Sequence, residues 1–329
     1  MRITASAPTR IDLAGGTIDI WPLYLFHEGA VTLNAAISLR AQATVESRTD
    51  GRVVIQSTDT GRRTNVAHWS ELGMPGELDL LGRLLRHFKA ENLTLTTTAK
   101  SPAGAGIAGS SALNVAVCGL MARWNHLDIE PEALLAIAQN VEAQAIMCPT
   151  GSQDYRPAMY GGVAAVELGV EGTRRVGLSV DPKELERRIV LAYTGAPRNS
   201  GTNNWEMTKR HLDGDRDVIE CFDRIRDTAV RMRAALERER WDDVGREIAQ
   251  EWENRKRLAP GVTTPQIDSL IAGAAAAGAT AAKVCGAGGG GCLFCYSEPG
   301  DRDRIREALA AGGARILDYF IETDGLLIQ

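Results

Sequence analysis

The chain has no excess of positive charge. Its 37 Lys and Arg stand against 42 Asp and Glu, a formal net charge of −5 over 329 residues. That excludes a broad nucleic-acid surface, although a single phosphate pocket stays compatible with it. No apolar run is long enough to span a bilayer. The opening Met1-Arg2-Ile3-Thr4 lacks the apolar core of a signal peptide, so the expected compartment is cytoplasmic, with neither membrane nor nucleic acid as partner. Six cysteines in a chain of this length do not make a disulfide framework. Cys292 and Cys295 form a lone C-x-x-C in a strand-like run, which sends the two side chains to opposite faces. A second pair, as a zinc site needs, is missing. The five histidines are scattered, with no metal-ligand spacing. There is no internal repeat and no low-complexity stretch.

Glycine is what the chain has in unusual places. Three glycine-rich segments run from Ala7 to Asp19, from Pro102 to Ala112 and from Gly286 to Gly291. Glycine lets a backbone take positive φ and approach a ligand closely. Such loops suit polyphosphates, because backbone N–H groups and a following helix N-terminus offer positive dipole ends. In the second segment Gly104 and Gly109 have P-loop spacing, but Ser110-Ser111 stands where Lys-Ser or Lys-Thr should follow. A standard P-loop is therefore excluded, while an anion-binding helix start remains, with two hydroxyls that can bond phosphate or Mg²⁺. The alternative is a glycine turn with a serine N-cap. The third segment contains G-x-G-x-x-G as Gly286, Gly288 and Gly291. A dinucleotide fold needs a helix next, and Cys-Leu-Phe-Cys-Tyr reads as a strand instead. The first segment couples Arg10 and Asp12 to Gly15-Gly16 and Asp19. Taken with Ser110, Ser111, Glu142 and Asp154, the three loops predict a small-molecule kinase.

Hydrophobic periodicity predicts strands at 2–8, 31–47, 53–56, 93–98, 163–168, 189–192, 281–285, 292–296 and 314–321. Helices are expected at 78–88, from the second glycine loop to about 125, from Pro131 towards 147, at 265–277 and at 304–311. Ser110 and Ser111 are suited to cap the second of these. Residues 204–253 read as two or three amphipathic helices. The composition shift after about residue 200 predicts an N-terminal domain of 1–190 and a C-terminal domain of 191–329.

Together the three segments resemble the GHMP kinase superfamily. Its second motif typically runs P-x-G-x-G-L-G-S-S-A. Pro102, Gly104 and Gly106 match, Ile107 replaces leucine, and Ala108-Gly109-Ser110-Ser111 departs from the Gly-Ser-Ser-Ala part. Either serine could then face a metal, and ungapped alignment favours Ser110. Lys283 to Leu293 is similar to K-x-x-G-A-G-G-G-G-C-x. The opening resembles that of sugar kinases of the heptose 7-phosphate kinase and fucokinase type, with one glycine fewer, Ile18 in place of threonine, and Asp19 retained. Gly151-Ser152-Gln153-Asp154 with Tyr160-Gly161-Gly162 resembles their G-x-Q-D-Q…Y-G-G, with Tyr155 for the second glutamine. Tyr193-Thr194-Gly195 with Arg198 and Ser200 resembles their Y-T-G-x-x-R-x-S.

The resemblance implies an α+β, two-lobed fold. Its N-terminal lobe is like ribosomal protein S5 domain 2 and its C-terminal lobe is ferredoxin-like. It implies ATP-dependent phosphorylation of a hydroxyl on a sugar or sugar phosphate, the anomeric hydroxyl first, by a monomer or homodimer. Asp154 would accept the hydroxyl proton or orient the sugar, with Arg10 near both Asp154 and the γ-phosphate. Pro102, Gly104, Ala105, Gly106, Ile107, Ala108, Gly109, Ser110 and Ser111 would hold ATP, and Ser110 with Glu142 would hold Mg²⁺. Asp19, Gly15, Gly16, Gly151, Tyr193, Arg198, Gly288 and Gly289 would contact substrate, and the third loop would brace the phosphate loop or touch the sugar. The rival readings are a kinase of a non-sugar alcohol such as mevalonate, and a non-catalytic sugar-binding regulator.

Overall fold

The computed structural model describes residues 1–73, 76, 78–197 and 200–329, without the side chains of 200–203. Its larger sheet joins β1 (Arg2–Ala14), β2 (Val31–Ser47), β3 (Val53–Ser57), β4 (Arg63–Val66), β5 (Leu93–Ala99), β6 (Val163–Gly169) and β7 (Gly172–Gly177). The smaller sheet holds β8 (Ile189–Tyr193), β9 (Ala281–Val284), β10 (Cys292–Tyr296) and β11 (Arg315–Ile316). A last strand, β12 (Leu327–Ile328), returns to the larger sheet beside β1. The order of the larger sheet is β12-β1-β2-β5-β3-β4, and β6 pairs with the first part of β2 and with β7. Only β3 and β5 are parallel among the pairs described. The smaller sheet runs β11-β8-β10-β9, all antiparallel.

The helices are α1 (Asp79–His87), α2 (Gly109–Trp124), α3 (Pro131–Ile146), α4 (Tyr155–Tyr160), α5 (Pro182–Arg187), α6 (Ser200–Leu212), α7 (Arg216–Glu237), α8 (Trp241–Arg255), α9 (Pro265–Ala276) and α10 (Arg302–Ala311). Helix α2 is buried almost all round, from Ser111 to Ala122, as its run of Ala, Val, Leu and Met dictates. It packs with α1 and α3 against the larger sheet. A second core lies between the two lobes, where β1 and β2 meet α7, α8 and β10. A third covers the other face of the smaller sheet, with α9 and α10. Cys292 and Cys295 pack into different cores, as alternation along a strand requires.

Two strand expectations are corrected. β1 does not end at residue 8 but runs on to Ala14. Pro8 has no N–H to pair, so the ladder shifts register between Ala7 and Thr9 and then resumes, with Thr9 opposite Ile37 and Asp12 opposite Asn34. The continuation delivers Arg10 and Asp12 to the interior. In the other direction, 314–321 is not one strand. Only Arg315 and Ile316 pair with β8. The chain then crosses to the larger sheet, where Ile321 bridges Ile37 and the Glu322 N–H donates to Ala36 O at 2.9 Å.

Candidate active site

Between the lobes lies a cleft of about 330 Å³. One wall is the second glycine loop and the start of α2. Gly104 and Gly106 have φ of +67° and +76°, and Ala108, at +60°, takes the same left-handed turn before the helix begins at Gly109. At Gly106 a side chain would force that strained conformation on an L residue. The loop is pinned from below. Arg10 donates from Nη1 to Gly106 O at 2.9 Å and from its backbone N–H to Ile107 O at 3.0 Å. The Cys292 N–H donates to Ala105 O at 2.6 Å, so the third glycine segment braces the second.

No side chain caps α2. The serines turn instead to α3. Ser110 Oγ donates to Glu142 Oε1 at 2.7 Å, and Ser111 Oγ to Oε2 at 3.0 Å. This corrects the expected capping role and leaves the first-turn amides without a side-chain acceptor, the condition in which a helix start binds an anion. Ser110 is exposed and lines the cleft, whereas Ser111 is buried and does not. Burial pushes the Glu142 carboxyl up, against the hydrogen bonds from Ser110 and Tyr155, and the charge of Asp154 adds to the rise.

The opposite wall carries the charges. Arg10 directs both Nε and Nη2 to the same oxygen of Asp154, Oδ1, at 2.9 and 2.6 Å. Neither bond engages Oδ2, and the Asp154 side chain is 22% exposed towards the cleft it lines. Burial alone lowers the Arg10 pKa, but Asp154 and Asp12 overcome it and hold the guanidinium firmly charged. Asp154 stands at the N-terminus of α4, and α4 is held at its far end by the C-terminal segment: the Gly162 N–H donates to Glu322 O and the Leu326 N–H to Met159 O.

Asp19 is buried behind Gly151. A Cβ built on Gly151 would lie 2.1 Å from Asp19 Oδ2, so only glycine fits there. Oδ2 accepts the Gln153 N–H at 2.8 Å, while Oδ1 has no hydrogen-bond partner among the described residues. Burial pushes the Asp19 carboxyl up to about 6, with the Asp154 charge adding and the Gln153 N–H opposing. Gln153 Oε1 is likewise buried without a partner, and both residues line the cleft.

Below this floor runs a chain of alternating buried charges that the sequence did not announce. Asp12 sits 3.8 Å from Arg10 and 3.3 Å from Lys283, and accepts the Gly286 N–H at 2.9 Å. Lys283 is 3.0 Å from Glu251, which pairs in turn with Arg255. Arg255 reaches Gly16 O at 2.9 Å and Thr17 Oγ1 at 3.1 Å. Burial raises the Asp12 carboxyl, but Lys283, Arg10 and Arg255 more than reverse this, and it ends far below the ordinary carboxylate range. The network ties the first glycine segment to the third and to α8. A signal existed in the sequence: Glu251 and Arg255 fall on the apolar stripe of α8 marked by Val244, Ile248 and Trp252.

Of the expected residues, Arg10, Asp19, Pro102, Gly104, Ala105, Gly106, Ala108, Gly109, Ser110, Glu142, Gly151 and Asp154 share this cleft. Ile107 and Ser111 lie just behind it, buried. Gly15 packs against Val31, Gly16 lies over Asp12 and Gln153, and Gly288 and Gly289 lie against Val262. From the third segment it is Gly286 and Ala287 that reach the cleft. Tyr193 stands on β8 under the Arg315 guanidinium, 5.5 Å from its ring. Arg198 and the Ser200 side chain lie outside the described residues. Thr17, Ile20, Asp59 and Asn204 line the cleft without having been singled out in the sequence.

A loop of backbone amides faces an arginine-clamped carboxylate across this cleft, the arrangement a small-molecule kinase needs. Residues 78–162 match the GHMP kinases N terminal domain, and residues 232–315 match the GHMP kinases C terminal. The chain belongs to the GHMP kinase family, and the two-lobed α+β fold expected of that family is the one observed. It is 28% identical to the D-glycero-alpha-D-manno-heptose 7-phosphate kinase of Campylobacter jejuni, over 98% of each chain. It is 26% identical to the mevalonate kinase of Thermococcus sibiricus, over all of this chain and 99% of that one. Among solved structures, a D-glycero-D-manno-heptose 1-phosphate kinase from Bacteriodes thetaiotaomicron superposes with a TM-score of 0.80 at 25% identity, covering 99% of this chain and 98% of that one. No helix among the described residues is long and apolar enough to cross a membrane.

Proposed function

We propose that the chain transfers the γ-phosphoryl group of ATP to a hydroxyl of a monosaccharide or monosaccharide phosphate, with the anomeric hydroxyl as acceptor. The observation that carries the sugar is the pair of buried, partnerless acceptors on the cleft wall, Asp19 Oδ1 and Gln153 Oε1. Leaving such atoms unpaired costs about 1–3 kcal/mol each, and a polyhydroxylated ligand supplies donors to both. The likeness to the Campylobacter heptose 7-phosphate kinase supports the same substrate class.

The amides from Gly104 to Ser111 cradle the phosphates of ATP. The acceptor hydroxyl gives its proton to Asp154, its oxygen bonds to the γ-phosphorus, and the bond from that phosphorus to the bridging oxygen breaks to release ADP. Arg10 holds Asp154 by one oxygen, so the other is available to the proton. Ser110 and Glu142 would hold Mg²⁺: two hard oxygen ligands beside a phosphate site are the sparse set this ion takes, completed by phosphate oxygens and water. The ion would supply charge neutralisation on the phosphates. Among the described residues no cluster of three or more His, Cys, Asp or Glu forms a metal cage of its own.

ATP consumption across a panel of free and phosphorylated sugars, with the product position read by NMR, tests this. Turnover of a sugar at its anomeric carbon is expected. Turnover of mevalonate or homoserine with none of any sugar would overturn the substrate class.

A further inference from the structure

Tyr155 does no work in the reaction just described, yet it is completely buried and its hydroxyl donates to Glu142 Oε2 at 2.7 Å. Ser111, also buried, donates to that same oxygen at 3.0 Å. The other oxygen, Oε1, has one donor among the described residues, and that donor is the cleft-lining Ser110. The three donors therefore divide the carboxylate into an inner oxygen held twice and an outer oxygen held once.

The division has chemical content. A hydroxyl can donate or accept. Ser110, at the cleft, can turn its lone pairs to a cation and release Oε1 in the same movement. Tyr155 and Ser111 do not line the cleft, and each directs its proton to Oε2; the Tyr155 hydroxyl has a weaker second neighbour in Thr150 Oγ1 at 3.4 Å. The terminal torsion of a glutamate is broad and roughly two-fold, so an unheld carboxylate would swing or offer both oxygens.

We infer that Tyr155, with Ser111, is a positioning residue that holds Glu142 by its inner oxygen and reserves the outer one as a single-handed metal ligand. The inference rests on the proposed role of Glu142 in holding Mg²⁺. Tyr155 follows Asp154 directly at the start of α4. One short segment thus carries the reacting carboxylate and the strut of the metal carboxylate, and fixes the distance between them.

The test is Mn²⁺ binding, read by electron paramagnetic resonance, to the whole protein saturated with a non-hydrolysable ATP analogue. A calorimetric titration of the analogue in EDTA runs beside it. Tyr155→Phe should weaken Mn²⁺ about ten- to a hundredfold, the range for groups that orient a metal ligand. The metal-free analogue affinity should stay within about twofold of wild type, a split that general loosening of the fold would not produce. Ser111→Ala removes the second donor to Oε2 and should shift Mn²⁺ in the same direction. It serves as the reporter if Tyr155→Phe does not fold. Glu142→Gln separates the two levels. If it loses Mn²⁺ while Tyr155→Phe and Ser111→Ala bind as wild type, the positioning role is overturned and the metal role of Glu142 stands. If all three bind Mn²⁺ as wild type, both fall.

Discussion

The two walls of the cleft solve opposite problems with opposite materials. The wall proposed to hold phosphates, from Pro102 to Ser110, contains no lysine or arginine; what it offers an anion is amides held in left-handed turns and a helix start with no side-chain cap among the described residues. The facing wall is built of paired acidic and basic side chains: Asp154 on Arg10, and beneath them Asp12, Lys283, Glu251 and Arg255, acid alternating with base. Fixed dipoles need no counter-ion and leave the cavity accessible to a mobile nucleotide. Fixed charges out of water must be paired to exist at all. Asp19 is the exception on that wall, a buried carboxylate with no cation hydrogen-bonded to it among the described residues, and burial with the nearby Asp154 charge raises its pKa.

The sharpest way to break this comparison is to remove one buried cation. Lys283→Met leaves Asp12 and Glu251 facing each other without their shared partner, and should cost about 3–5 kcal/mol in a denaturant melt. Arg231→Ala, at the exposed pair with Glu247, should cost under about 1 kcal/mol. Equal losses would mean that burial of the charged wall has no energetic meaning. Next, Asp154→Asn should lower kcat about a hundredfold or more while nucleotide affinity holds. Retention of over half the wild-type kcat would place the proton acceptor elsewhere. Third, Asp19→Ala should weaken sugar affinity about ten- to a hundredfold, through loss of a charged hydrogen bond of about 1.5–3 kcal/mol. Separate titrations with nucleotide and sugar check it.

The pH dependence of the same residue is a gentler effect. With its pKa at about 6, above the ordinary aspartate value, Asp19 favours the fold most at low pH, and that contribution is lost as pH rises through about 6. Sugar recognition runs the other way, since the carboxylate is the better acceptor. Sugar kcat/KM should therefore fall as pH drops below about 6, and Asp19→Asn should flatten that limb. The smallest effect belongs to the amide wall: Gly106→Ala, forced to a φ of +76°, should cost about 1–2 kcal/mol and weaken nucleotide about five- to thirtyfold with sugar affinity intact.

The amide wall was largely legible in the sequence, because positive φ and close approach write themselves as glycine. The long strands and the helices of 204–253 were legible as periodicity. The continuation of β1 past Pro8 was not, since a proline reads as a stop and only the β2 ladder shows that pairing resumes. Nor was the ionic floor, whose members come from positions as distant as Asp12, Glu251 and Lys283 and meet only in the folded chain. Lys283 was visible as a motif residue but had no partner to explain it. Serine at a helix start reads as a cap; that Ser110 and Ser111 turn to Glu142 depends on how α3 packs on α2.

The pairing of β12 with β1 carries a consequence for where the fold can open. Ala5 and Ser6 pair with Ile328 and Leu327, a contact across nearly the whole sequence. The segment just before β12 also secures the end of α4, the helix that begins beside Asp154. Fraying of β12 would therefore be felt at α4 before it reached the α2–α3 core, because local opening spreads first through the elements that share hydrogen bonds.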